Sequence, residues 1–88
     1  MAVVLIIEDD ADVADTVNAC LESSGHTCQV ATTGEQGLDG CKQLEPDVII
    51  LDLTLPGMDG IEVCTHIRRL PLRRDPYILM LTARGGQL

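Results

Sequence analysis

The sequence predicts an α/β domain in which four strands alternate with three helices, βαβαβαβ, an order that calls for a parallel sheet with right-handed crossovers. Three observations carry this. Val3-Val4-Leu5-Ile6-Ile7, Val48-Ile49-Ile50-Leu51 and Tyr77-Ile78-Leu79-Met80-Leu81 are unbroken apolar runs of strand length, as expected of strands buried on both faces. Between them, apolar residues recur at helical spacing. Glycine or proline stands where each pattern breaks.

The first strand spans 3–7 and is rich in β-branched residues. Asp10 or Asp12 can cap the helix that follows, in which Val13, Val17, Cys20 and Leu21 share one face until Gly25 stops it. Thr27 to Ala31 alternates, with Cys28 and Val30 on one side, and reads as an edge strand. A second helix runs from about Gly34 to Leu44. Gly37 and Gly40 each cost it roughly 1 kcal/mol relative to Ala, so packing must hold it. The Thr32-Thr33-Gly34 stretch has no lysine to make it a phosphate loop and reads as a helix start. Pro46 opens the third strand, Asp47 to Leu51, which ends at Asp52. Loop residues 55–60 lead to Asp59, a cap, and to a helix striped by Ile61, Cys64 and Ile67, with Val63 and Leu70, that Pro71 ends. Tyr77 to Leu81 is the fourth strand.

The composition narrows the function. The chain has 88 residues, read as a single domain over 1–88, and at this size only roughly 60–65% of the unfolded surface can be buried. Fourteen acidic against six basic residues give −8, which argues against binding a phosphate backbone. Residues 1–65 hold all the acids except Asp75 and only Lys42 as a base, and five arginines follow. Tyr77 is the sole aromatic, so there is no base-stacking surface. No apolar run approaches the roughly 20 residues of a membrane span, and the start lacks the basic character of a signal peptide. A soluble, cytoplasmic protein is expected. Cys20, Cys28, Cys41 and Cys64 match no zinc spacing and read as reduced, mostly buried thiols. His26, in a turn, and His66, on the third helix, have no partner at metal spacing and read as surface residues.

The chemistry gathers at strand ends. In a parallel sheet, ligands bind beyond the carboxyl ends where strand order reverses. If the first and third strands are central neighbours, Glu8-Asp9-Asp10 and Asp52 converge although residues 9 and 52 lie 43 positions apart. Clustered carboxylates either rise in pKa or share a cation. Hard oxygen donors on loops suit Mg²⁺, and a metal-held phosphoryl group beside a carboxylate suits transfer to that carboxylate. Helix caps and solvated loop charges are the other reading of the same acids.

Val4-Leu5-Ile6-Ile7-Glu8-Asp9-Asp10, Pro46 to Gly60 (Pro-Asp-Val-Ile-Ile-Leu-Asp-Leu-Thr-Leu-Pro-Gly-Met-Asp-Gly) and Ile78-Leu79-Met80-Leu81-Thr82-Ala83 together resemble the receiver domain of two-component response regulators. The resemblance covers essentially the whole chain. It implies a flavodoxin-like sheet of order 2-1-3-4, with Asp52 as phosphoacceptor. It further implies Mg²⁺ held by Glu8, Asp9, Asp52 and the backbone carbonyl of Thr54. Thr82 would be the switch hydroxyl, Ala83 would offer a backbone N–H to the phosphoryl group, and Pro56 and Gly57 would shape the pocket. The implied partner is a sensor histidine kinase or phosphotransfer protein, and the chain would assist its own phosphorylation without being an enzyme.

A receiver has five βα units, and this chain stops after the fourth strand, without the last helix-strand-helix and its phosphate-pairing lysine. Lys42 is expected far from the site, and Arg84 is near it in sequence only. The fourth strand then becomes an apolar edge beside an uncovered sheet face, so a homo-oligomer is expected. The alternative function is a phosphorylation-incompetent fragment acting as an oligomerising interaction or folding module. A phosphohydrolase is a third reading, disfavoured because Thr54 stands where such enzymes tend to carry a second aspartate.

Overall fold

In a computed structural model of the chain, the described residues are 1–81. Thr82, Ala83 and Arg84, singled out in the sequence, lie outside them. The elements are β1 (Val3–Ile7), α1 (Ala11–Ser23), β2 (Thr27–Ala31), α2 (Gly34–Leu44), β3 (Val48–Asp52), α3 (Gly60–Arg68) and β4 (Tyr77–Leu81). The strands form one parallel sheet in the order β2-β1-β3-β4, as expected.

The chain steps one way from β1 to β2 and the other way from β2 onward. Crossovers of a single hand therefore put α1 on one face and α2 and α3 on the other. The core follows that division. Val4, Ile6 and Ile50 pack beneath Val17 and Leu21 of α1. Leu5, Ile7, Ile49 and Leu51 pack against Cys41, Val63 and Ile67 on the opposite face. A strand's period of two explains this, since alternate residues of β1 and β3 serve different layers.

Each helix has a capping carboxylate or hydroxyl at its start. The Asp10 side chain accepts from the Asp12 and Val13 N–H groups, Thr33 from Gln36, and Asp59 from Glu62. Asp10, rather than Asp12, therefore caps α1. Gly37 and Gly40 face β1, where added Cβ atoms would come within 2.5 Å of Ile7 Cδ1 and 3.1 Å of Leu5 Cδ1. This close approach is the packing that offsets their poor helix propensity.

Some expected core positions are on the surface. Val13, Cys20 and Ile61 are exposed, and the sheet side of α1 is carried by Ala14, with Val17 and Leu21 partly buried. The helices lean on the sheet over a narrower stripe than the apolar spacing implied. All four cysteines are free, and of these only Cys41 is fully buried. His26 is half-buried, because its Nδ1 accepts from the Ala2 N–H at 3.0 Å and so ties down the start of β1.

Candidate functional site

Backbone parity builds the site. Ile7 of β1 is opposite Leu51 of β3, so Glu8 and Asp52 come next side by side. The Glu8 N–H still donates to the Ala31 carbonyl at 2.9 Å, which prolongs the sheet by one residue. Glu8 thus continues the Val4–Ile6 side of β1, and Asp52 continues the Val48–Ile50 side of β3. Both project into the α1 layer, and both are buried, at 6% and 4% exposure. Asp9, one residue on, is exposed. One carboxylate oxygen from each of Glu8, Asp9 and Asp52 lies within 4.8 Å of the others. The expected convergence of these three residues is therefore met.

Local hydrogen bonds set their orientation. Asp52 Oδ1 accepts from the Thr54 N–H at 3.0 Å and from the Thr54 hydroxyl at 3.2 Å. Glu8 Oε2 accepts from the Asp10 N–H at 3.1 Å. Asp10, committed to the α1 cap, contributes no carboxylate to the triad and fits the reading of these acids as helix caps. A cleft of about 340 Å³ opens over the group, lined by Glu8, Asp9, Asp10, Val13, Asp52, Thr54 and Leu81.

Burial and crowding shift the chemistry. The Glu8 carboxyl is pushed up to about 7, first by desolvation and then by the neighbouring Asp52 and Asp9 carboxylates, while the Asp10 N–H pulls the other way. A divalent cation would relieve the same repulsion. Three carboxylate oxygens within 4.8 Å of one another at an open cleft are the hard donors Mg²⁺ takes.

A larger cleft, about 570 Å³, is lined by Leu44, Glu45, Arg73 and Arg74 at the opposite, amino end of the strands. Its arginines are 80–90% exposed, and they pair with Asp47 at 2.9 Å and with Glu45 at 4.0 Å. Exposed pairs of this kind contribute little. The cleft gathers no buried polar group.

The family model of the response regulator receiver domain matches residues 4–87. The chain belongs to that family. As a receiver it is 45% identical, over 93% of its length, to the DNA-binding dual master transcriptional regulator RpaA of Synechocystis. It is 41% identical, over its full length, to the transcriptional regulatory protein AfsQ1 of Streptomyces coelicolor. It spans only 34% and 38% of those two relatives. The crystal structure of the N-terminal domain of a response regulator receiver protein from Methanoculleus marisnigri superposes with a TM-score of 0.89. That pair is 32% identical, covering 96% of this chain and 68% of the other.

The receiver fold therefore brings together Glu8, Asp9, Asp52 and Thr54 from the sequence-derived set. Lys42 sits in the last turn of α2, against the face opposite the Asp52 side chain. Pro56 and Gly57 are exposed loop residues, and Gly57 adopts φ +83°, which glycine tolerates best. Sequence reasoning missed the apolar wall of the cleft, Val13 and Leu81. The signal was available: Leu81 is opposite Asp52 in register, and Val13 lies in the first turn of α1. Among the described residues, no helix is long and apolar enough to cross a membrane.

Proposed function

We propose that this receiver accepts a phosphoryl group on Asp52 from a histidine kinase or phosphotransfer protein. Mg²⁺ would be held by Glu8, Asp9, Asp52 and the Thr54 backbone carbonyl. The single observation that carries the reading is the trio of carboxylates from two different strands, within 4.8 Å of one another at the mouth of a cleft.

An Asp52 carboxylate oxygen attacks phosphorus, the P–N bond of the donor phosphohistidine breaks, and the freed imidazole nitrogen keeps the electron pair and takes a proton from solvent. The product is an acyl phosphate on Asp52. When bound, Mg²⁺ supplies positive charge against the phosphoryl oxygens. Thr54 donates to one Asp52 oxygen, which steadies the carboxylate and leaves the other free as nucleophile. By the family resemblance, Thr82 and Ala83, which lie outside the described residues, would supply a hydroxyl and a backbone N–H to the phosphoryl oxygens. The chain promotes its own modification and turns over no substrate, so it is a phosphorylated switch in the cytoplasm rather than an enzyme. Both curated relatives carry names of transcription regulators; a net charge of −8 argues against DNA contact by these residues themselves.

The test is incubation with a small-molecule phosphodonor and Mg²⁺, followed by intact-mass measurement. A hydroxylamine-labile increment of one phosphoryl group is expected, and it should vanish in Asp52→Asn and on chelation. An unmodified wild-type protein that still binds Mg²⁺ would overturn the reading.

A further inference from the structure

Among the described residues, β2 pairs only with β1, and its outer side is a sheet edge. The Thr27 N–H donates to the Ala2 carbonyl and the Ala31 carbonyl accepts from the Glu8 N–H, both at 2.9 Å. Thr27, Gln29 and Ala31 therefore turn their peptide groups inward to β1, and Cys28 and Val30 turn theirs outward. Past each end the donors are already used. The Thr32 N–H donates to Gln36 Oε1 at 3.0 Å, and the His26 N–H donates to the Leu21 carbonyl at 3.2 Å. What remains open is a short stretch of two N–H and two C=O groups. The strand that carries it, Thr27 to Ala31, has none of the charges or prolines that ordinarily blunt an edge.

A groove runs beside this stretch. Gln29 pairs in register with Leu5 and so stands on the α2 face of the sheet. Gln36, Asp39, Gly40 and Gln43 fall at i, i+3, i+4 and i+7 on α2, which makes them one stripe of the helix. With Gln29 they line a cleft of about 240 Å³. Asp39 is the charged group in it; Lys42, on the same helix, is not part of the lining. The other face of the edge differs. There the Cys28 and Val30 side chains lie in the apolar α1 layer with Val17 and Leu21. A strand added along β2 would meet an acidic, amide-bearing side on one face and an apolar side on the other. Its own residues must alternate to match.

Charge decides what kind of strand fits. All acids of the chain except Asp75 lie within residues 1–65, where Lys42 is the one base. A second copy would bring another Asp39 and another acidic domain to the edge, whereas a basic segment meets opposite charge.

We infer that β2 takes up an extended basic segment of a partner protein as an added strand, with arginine or lysine side chains over Asp39 and the glutamines and apolar side chains beside Cys28 and Val30. The inference does not involve Asp52 and is independent of phosphorylation.

The probe is a blocked hexapeptide of alternating arginine and valine, titrated into the isotope-labelled chain. It should bind saturably and slow amide exchange at Cys28 and Val30 by about tenfold, while Gln29, already bonded to β1, changes little. Asp39→Lys, an exposed substitution, should weaken binding by about tenfold with an unchanged far-UV circular dichroism spectrum. The same peptide N-methylated throughout keeps its charge but cannot donate to a ladder, and it should not bind; nor should a version with glutamate in place of arginine. Absence of saturable binding, equal binding of the N-methylated peptide, indifference to Asp39→Lys, or unchanged exchange at Cys28 and Val30 would each overturn the inference. So would protection of those two amides that grows with protein concentration in the absence of peptide, because a second copy would then be the occupant.

Discussion

Glu8 shows how far neighbours can move one side chain. Its carboxyl lies at about 7 in the fold, against an ordinary 4.5, because ionising it means charging a buried group beside Asp52. The unfolded chain then releases this proton near 4.5 and the folded chain only near 7. Across that window the folded state binds more protons, so stability falls as pH rises and levels off above about 7. Urea denaturation in chelator should show this decline, and Glu8→Gln, which has no proton to lose, should flatten it. A wild-type profile that climbs through the window would refute the assignment. The pairing of Glu8 with Asp52 was legible in the sequence once β1 and β3 were taken as neighbours. The Thr54 hydroxyl on Asp52 was not, because it depends on a turn rather than on a period.

At the scale of elements, the close contacts fall at glycines. A Cβ on Gly60 would meet the Leu53 Cα at 2.7 Å and the Asp52 carbonyl oxygen at 2.8 Å, backbone atoms that cannot step aside. On Gly37 the nearest atoms belong to the Ile7 side chain, at 2.5 Å from its movable Cδ1 end, and on Gly40 to the Leu5 side chain, at a looser 3.1 Å. Alanine gains about 1 kcal/mol of helix propensity at an interior position, while overpacking costs typically 1–3 kcal/mol. Gly40→Ala should therefore come out near neutral and Gly37→Ala destabilised by about 1 kcal/mol. Gly60→Ala should lose the most, on the order of 3 kcal/mol, in the same denaturation assay; the reverse ranking would show that α3 can slide away from β3. Asp10→Ala should cost about 1 kcal/mol as a lost cap. Strand and helix positions were readable from periodicity because each strand's burial follows directly from its run of apolar residues. Which helix residues face the sheet was less so. Val13 and Ile61 keep helical spacing yet stand in solvent, because helices this short contact the sheet along one row, and spacing alone does not say which row.

For the whole molecule, size and charge set the terms. A domain of this size has little stability in reserve, and this one gathers repelling carboxylates at one end of its sheet. The charge asymmetry and the apolar fourth strand were plain in the sequence; the outward direction of the Cys28 and Val30 peptide groups needed the register. Anything that binds the folded acidic cluster and not the unfolded chain must then act on global stability. At a free Mg²⁺ concentration tenfold above its dissociation constant, the linkage amounts to about 1.4 kcal/mol. In a domain of this size that raises the melting temperature by roughly 6–11 °C. Thermal scans at one fixed protein concentration, which keeps any dimer contribution constant, should show the rise in the wild type. It should be lost in Asp9→Asn and in Asp52→Asn, whose metal-free melting points should stand at or above the wild type's because each removes a repelling charge. A wild-type melting temperature indifferent to Mg²⁺ would mean that the three carboxylates are close neighbours without being a metal site.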